Sequence, residues 1–156
     1  MAQEDMLVKL YKLPEFQSGT FDSFGIRVKR GMAFEKSLIV NFAKSFSQAW
    51  ADECEKAFTN TPVSCFVAYQ NHKVIGFSCY NTTAPGFFGP TGVSKEHRKK
   101  GVGRTLLLEA LYAQKSLGYA YSIIGRVGSS EFYSKAVGAT IIEGSNPGIY
   151  NEIINK

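Results

Sequence analysis

Cysteine is scarce in this 156-residue chain, and what there is has no pattern. Cys54, Cys65 and Cys79 are odd in number and never show C-x-x-C spacing. That excludes a zinc ribbon and argues against a disulfide framework, so the expected compartment is a reducing cytoplasm. No apolar run approaches the roughly 18 residues that span a bilayer, which predicts no membrane association. The start, Met1-Ala2-Gln3-Glu4-Asp5, is acidic with no apolar segment behind it, and predicts no secretory signal. No repeat, low-complexity segment or Pro/Gly/Ser-rich linker divides the sequence, so residues 1–156 are expected to form one domain. Acidic residues are absent from Lys56 through Lys95.

What is present is ordinary globular composition: 44% hydrophobic and 20% charged residues. The net charge of +5 is unevenly placed. Residues 1–60 hold eight basic and eight acidic side chains, and residues 61–156 hold ten and five. Between Lys95 and Arg104, five basic residues (Lys95, Arg98, Lys99, Lys100, Arg104) face one acid, Glu96. A compact cluster suits a single polyanionic group better than a nucleic-acid backbone, which draws charge along a whole face. No nucleic-acid partner is expected.

Hydrophobic periodicity predicts the elements. Met6–Leu13 reads as a strand stopped by Pro14, Gln17–Asp22 as a loop, and Phe24–Arg30 as a second strand. In Ala33–Trp50, Leu38, Phe42, Phe46 and Trp50 recur every four residues, which predicts one helix with an apolar face. A short helix is expected over Asp52–Phe58. Cys65–Tyr69 and Val74–Tyr80 form a hairpin around Gln70–Lys73. Phe87–Val93 is extended but carries Gly89, Pro90 and Gly92, which predicts an edge, a bulge or close approach by a ligand. A helix begins at Gly101 and stops near Gly118, followed by a strand over Tyr119–Ile124 and a short helix from Ser129 to Gly138. Ala139–Glu143 and Ile149–Ile154 are expected as two last strands. The fold class is mixed α/β (α+β): one central sheet flanked by about four helices.

The segment Arg98-Lys99-Lys100-Gly101-Val102-Gly103-Arg104-Thr105 lies between a strand and a helix. A helix start offers unpaired N–H groups and partial positive charge, and glycines let an anion approach the backbone. The residues describe an anion site. No Gly-Lys-Ser/Thr is present, so the P-loop pattern fails, and the dinucleotide pattern fails because its third glycine would be Leu106.

The spacing R-x-x-G-x-G resembles the acyl-CoA pyrophosphate loop of the GCN5-related N-acetyltransferase (GNAT) superfamily, Q/R-x-x-G-x-G/A. Val93-Ser94-Lys95-Glu96-His97-Arg98 resembles the family's V-x-P-x-x-R approach, with Lys95 for the proline. Phe132-Tyr133-Ser134-Lys135-Ala136-Val137-Gly138-Ala139 is similar to F-Y-x-K-x-G-F, with one extra residue and Ala139 for the aromatic. The resemblance covers residues 60–143 and implies a GNAT-like fold with a splayed strand before the Arg98–Gly103 loop. It implies that acetyl-CoA, as co-substrate and without a metal, is held by Arg98, Lys99, Lys100, Gly101, Val102, Gly103, Arg104 and Thr105. It further implies that the backbone of Thr91, Gly92, Val93 and Ser94 pairs with the pantetheine arm. Tyr133 is then the donor to the departing thiolate. The resemblance also implies a small-molecule or peptide amine as acceptor, an acceptor pocket built from about residues 33–58 and 140–154, and a homodimer.

A lysine-like amine has a pKa near 10.4, so making it nucleophilic at pH 7 costs roughly 4–5 kcal/mol. The acid-free stretch means that a carboxylate base has to come from elsewhere, such as Glu35, Asp52 or Glu53, or that water relayed to a carbonyl or tyrosine acts instead, and the sequence names no general base. The family's asparagine before Tyr133 is absent, and Arg126-Val127-Gly128 stands there. Glu35, Asp52, Glu53 and Glu55 are the one dense acidic group, a faint pointer to a basic acceptor. Other candidates read as structural: His97 and His72 as surface residues, Cys79 as a buried small hydrophobe, and Trp50 and Phe87-Phe88 as core, with Phe87-Phe88 a wall of the acceptor site if the loop Asn81–Gly86 covers it. The alternative to an acetyltransferase is a non-catalytic acyl-CoA-binding module of the same fold. A basic nucleic-acid domain, the third reading, requires a steep salt dependence. Gly103→Glu, which blocks the loop and repels phosphates, should abolish acetyl-CoA binding in calorimetry; unchanged binding refutes the loop assignment.

Overall fold

The computed structural model describes residues 3–18 and 24–154, so part of the expected Gln17–Asp22 loop lies outside the described residues. The strands are β1 (Met6–Lys9), β2 (Ile26–Arg30), β3 (Cys65–Gln70), β4 (Lys73–Tyr80), β5 (Phe87–Val93), β6 (Tyr121–Ile124) and β7 (Thr140–Ile141). The α-helices are α1 (Lys36–Lys44), α2 (Gln48–Ala57), α3 (Val102–Ser116) and α4 (Ser130–Val137). The seven strands form one mixed sheet in the order β2-β3-β4-β5-β6-β1-β7. β1 thus lies between β6 and the far edge strand β7, antiparallel to both. The chain leaving it runs by α3, where the Tyr112 hydroxyl donates to the Pro14 carbonyl at 2.6 Å and the Phe16 ring stacks on Tyr112.

Helices cover both faces. On one, Leu106, Leu107 and Leu111 of α3 pack with Val8, Ala68 and Phe88. On the other, Ile39, Ala43, Cys54 and Ala57 of α1 and α2 pack with Cys65, Val67, Phe77 and Cys79. Two covered faces explain why β3 and β4 read as near-continuous apolar runs.

The expected single helix over Ala33–Trp50 is broken. Ala33–Glu35 is one 3₁₀ turn, α1 stops at Lys44, and α2 starts at Gln48. The cause is serine chemistry. Ser45 Oγ donates to the Phe42 carbonyl at 2.6 Å, and Ser47 caps α2 by accepting from the Trp50 N–H at 3.1 Å. Phe42, Phe46 and Trp50 still meet, around Phe77 (ring centroids 6.1–6.2 Å from it), but Leu38 is exposed. The expected strand Ile149–Ile154 is not one either. Gly148–Tyr150 is a 3₁₀ turn, so no hairpin closes this end.

β5 decides where a site can form. It lies mid-sheet, so its glycines do not mark an edge. Its register against β4 shifts between Ser78 and Tyr80, opposite Gly89-Pro90. It pairs with β6 only at Phe87↔Ile123 and Phe88↔Ile124, after which the two strands part. The Ser94 N–H bonds the Ile75 carbonyl, which puts Gly92 in phase with β4 and Thr91 and Val93 out of phase. The N–H groups of Thr91 and Val93 therefore point away from β4, into the gap.

A Cβ on Gly92 would lie 2.8 Å from Phe46 Cζ, and that ring is held by Phe42, Trp50 and Phe77. Gly92→Ala should lower unfolding free energy by about 1–3 kcal/mol, measured by urea denaturation; wild-type stability would show that the ring yields.

Candidate active site

The anion loop follows β5 and is pinned from below. Ser94 Oγ meets His97 Nδ1 at 2.6 Å, and His97 Nε2 meets Gln70 Oε1 at 2.9 Å. His97 is thus a structural bridge to the end of β3. Arg98 Nε donates to the Val93 carbonyl at 3.0 Å. Lys99 (φ 64°) and Gly101 (φ 84°) are both left-handed, and the chain enters α3 at Gly101. The first N–H groups of α3 have no intrahelical acceptor. Gly103 is helical, and a Cβ there would meet nothing nearer than 3.9 Å, so open space, not conformation, is what this glycine supplies.

A cavity of about 580 Å³ lies over this loop. Eight of the twelve expected cofactor residues line it: Thr91, Gly92, Val93, Arg98, Lys99, Gly101, Gly103 and Arg104. The other four do not. Ser94 is turned to His97, and Lys100 Nζ sits 4.8 Å from the Phe24 ring centroid. Val102 is buried in the core, and Thr105 Oγ1 donates to the Gly101 carbonyl at 3.0 Å.

A second cavity, about 570 Å³, opens on the other side of the β5–β6 gap. Glu53, Thr83, Phe88, Ile124, Arg126 and Tyr150 are among its walls. Trp50, Thr91, Ser129, Phe132 and Tyr133 border both cavities, so the two meet there. Tyr133 packs edge-on against Phe132 and Phe88, and burial pushes its phenol up to about 12. The hydroxyl therefore stays protonated at neutral pH and can donate.

The structure separates the candidate bases. Glu35 is tied to Lys29 at 2.7 Å and to the Met32 N–H at 2.9 Å. Asp52 is exposed and accepts from Gln48 at 3.0 Å, and Glu55 is exposed. Glu53 alone of the four lines a cavity, where it accepts a hydrogen bond from Thr83 Oγ1. Burial raises its pKa, and the Thr83 bond opposes the rise in part. Phe88 is buried and forms cavity wall as well as core. His72 is exposed in the hairpin turn.

Some site residues left no sequence signal. Arg126 holds φ 46°, a left-handed conformation that costs a non-glycine residue of order 1 kcal/mol. Tyr150 comes from the 3₁₀ turn that replaces the expected last strand. Cys54, Cys65 and Cys79, which follow no sequence pattern, bring their Sγ atoms within 4.8 Å of one another, fully buried.

 

Comparison with known proteins bears on this geometry. The model of the acetyltransferase (GNAT) family matches residues 33–139. Among solved structures, a GCN5-related N-acetyltransferase from Sphaerobacter thermophilus is similar at TM-score 0.70 and 15% identity, over 91% of this chain and 50% of that one. A GNAT-family acetyltransferase from Colwellia psychrerythraea is similar at 0.65 and 14%, over 90% and 53%. A GNAT-family acetyltransferase from Brucella melitensis, solved with acetyl-CoA, is similar at 0.52 and 15%, over 70% and 80%. The chain thus spans about half the length of the Sphaerobacter protein. At these identities the likeness is one of fold. No curated protein matches the sequence.

The raised pKa of Glu53 has a consequence for stability. The folded chain keeps this proton at pH values where the unfolded chain has lost it. The stabilisation is complete below the unfolded pKa and is lost as pH rises through the folded one. Glu53→Gln retains an oxygen for Thr83 and removes that loss. Its unfolding free energy should therefore fall less than the wild type's between the ordinary carboxylate range and neutrality; parallel urea-denaturation profiles would contradict this.

Proposed function

The chain belongs to the acetyltransferase (GNAT) family, and on that premise we propose that it moves an acetyl group from acetyl-CoA to a primary amine by direct attack. The observation that supports this reading is the meeting of two unlike cavities at Thr91 and Tyr133. One carries Arg98, Lys99 and Arg104 and suits the phosphates of the carrier. The other carries Glu53 and suits the amine.

Acetyl-CoA supplies the thioester carbonyl. The chain's own residues do the rest. Glu53 accepts the amine proton, and its raised pKa brings it nearer to that task than an ordinary carboxylate. The outward N–H groups of Thr91 and Val93 are donors for the carbonyl oxygen. As the C–N bond forms and the C–S bond breaks, Tyr133 gives its proton to the leaving sulfur. Holding both partners across one gap supplies several kcal/mol without a covalent acyl-enzyme. Glu53 also answers the motive for a binding-only module, the lack of a carboxylate between residues 56 and 95.

Acetyl-CoA titrated into the protein should bind, and amines should be acetylated at a rate that falls as pH drops through the Glu53 pKa. Tyr133→Phe should keep acetyl-CoA affinity and lower kcat about 10²-fold. Glu53→Gln should lower kcat by a similar factor and flatten the acid limb. An unaltered kcat in either variant removes that residue from the mechanism, and absence of binding removes the function.

A further inference from the structure

We propose that Arg126 holds an acid group of the acceptor, so that the acceptor is an amine that also bears a carboxylate or phosphate. This rests on the acetyl-transfer reading and deepens it.

Arg126 lies on the Glu53 cavity and not on the loop cavity, so its charge is separate from the cluster assigned to the carrier's phosphates. Its backbone is held left-handed from outside the site. Its N–H donates to Asp5 Oδ1 at 2.9 Å, and the next residue's N–H donates to the Glu4 carbonyl at 3.1 Å. Asp5 is itself buried, and its N–H donates to Ser145 Oγ at 2.8 Å. Strained backbone fixed by buried partners is a feature of ligand clamps. The guanidinium lies over the Tyr150 ring, 4.1 Å from its centroid. Among the described residues, the ion pairs are Lys29–Glu35 and Lys135–Glu131, so no carboxylate engages the guanidinium. An arginine on the cavity wall, stacked on Tyr150 and without a carboxylate partner among the described residues, is suited to bidentate capture of an acid group.

The opposite charge stands on the same cavity. Tyr150 is pushed up by burial, then by Asp5 and Glu53, and is pulled down by Arg126, which places both charges around one phenol. A cavity with a carboxylate for the ammonium end and a guanidinium for the acid end selects a molecule carrying both.

The test uses the full chain, acetyl-CoA and matched acceptor pairs: L-methionine with L-methioninamide, and 2-aminoethyl phosphate with ethanolamine. The acid-bearing member of at least one pair should be favoured about 10-fold or more in kcat/KM, and the pair concerned distinguishes carboxylate from phosphate. Arg126→Gln should bring that ratio close to one, mainly through KM, and Arg126→Lys should keep part of it. Equal or better use of both neutral members by the wild type overturns the inference and leaves acetyl transfer standing. If no amine is acetylated, calorimetry of the same pairs on the CoA-saturated protein decides, and equal affinities overturn it. Failure to bind acetyl-CoA overturns the acetyl-transfer reading and this inference with it.

Discussion

The parting of β5 from β6 after two paired residues constrains everything around it. A central strand ordinarily spends its N–H and C=O groups on both neighbours. Here the residues beyond Phe88 bond on one side only, because β6 ends at Ile124 while β5 runs on to Val93. Unspent backbone groups in a sheet interior need a partner, and an extended ligand arm is one. The gap also sets where the next elements go: the loop and α3 at one mouth, and Arg126 and α4 at the other.

Charge is divided along this gap. Cations gather at the loop end, where α3 adds the partial charge of its first turn. On the other side, Glu53 is half-buried with Thr83 as its partner. Between them stand aromatic residues, Trp50, Phe132 and Tyr133, which border both cavities. The same burial raises the pKa of both Glu53 and Tyr133, and it keeps the Tyr133 phenol protonated at neutral pH.

The parts legible in the sequence are those governed by local chemistry. Glycine spacing before a helix marks the loop, and Gly89-Pro90 inside an apolar strand marks the bulge. Serine behaviour was visible as composition but not as a break, because the four-residue aromatic period runs straight across Ser45 and Ser47. The place of β1 beyond β6 depends on pairing between residues more than 100 positions apart, which periodicity does not encode. Glu53 was indistinguishable from Glu35 and Asp52 for the same kind of reason: only packing decides that one faces a cavity and another faces Lys29. Arg126 owes its conformation to Asp5, 121 residues away.

The three thiols between α2 and the β3–β4 pair sit where no solute reaches them while the fold is closed. Alkylation of any of them requires α2 to lift from the sheet, so the rate at which a thiol reagent reacts counts those openings. The chain thereby carries its own clock for the breathing of the helix that bears Glu53.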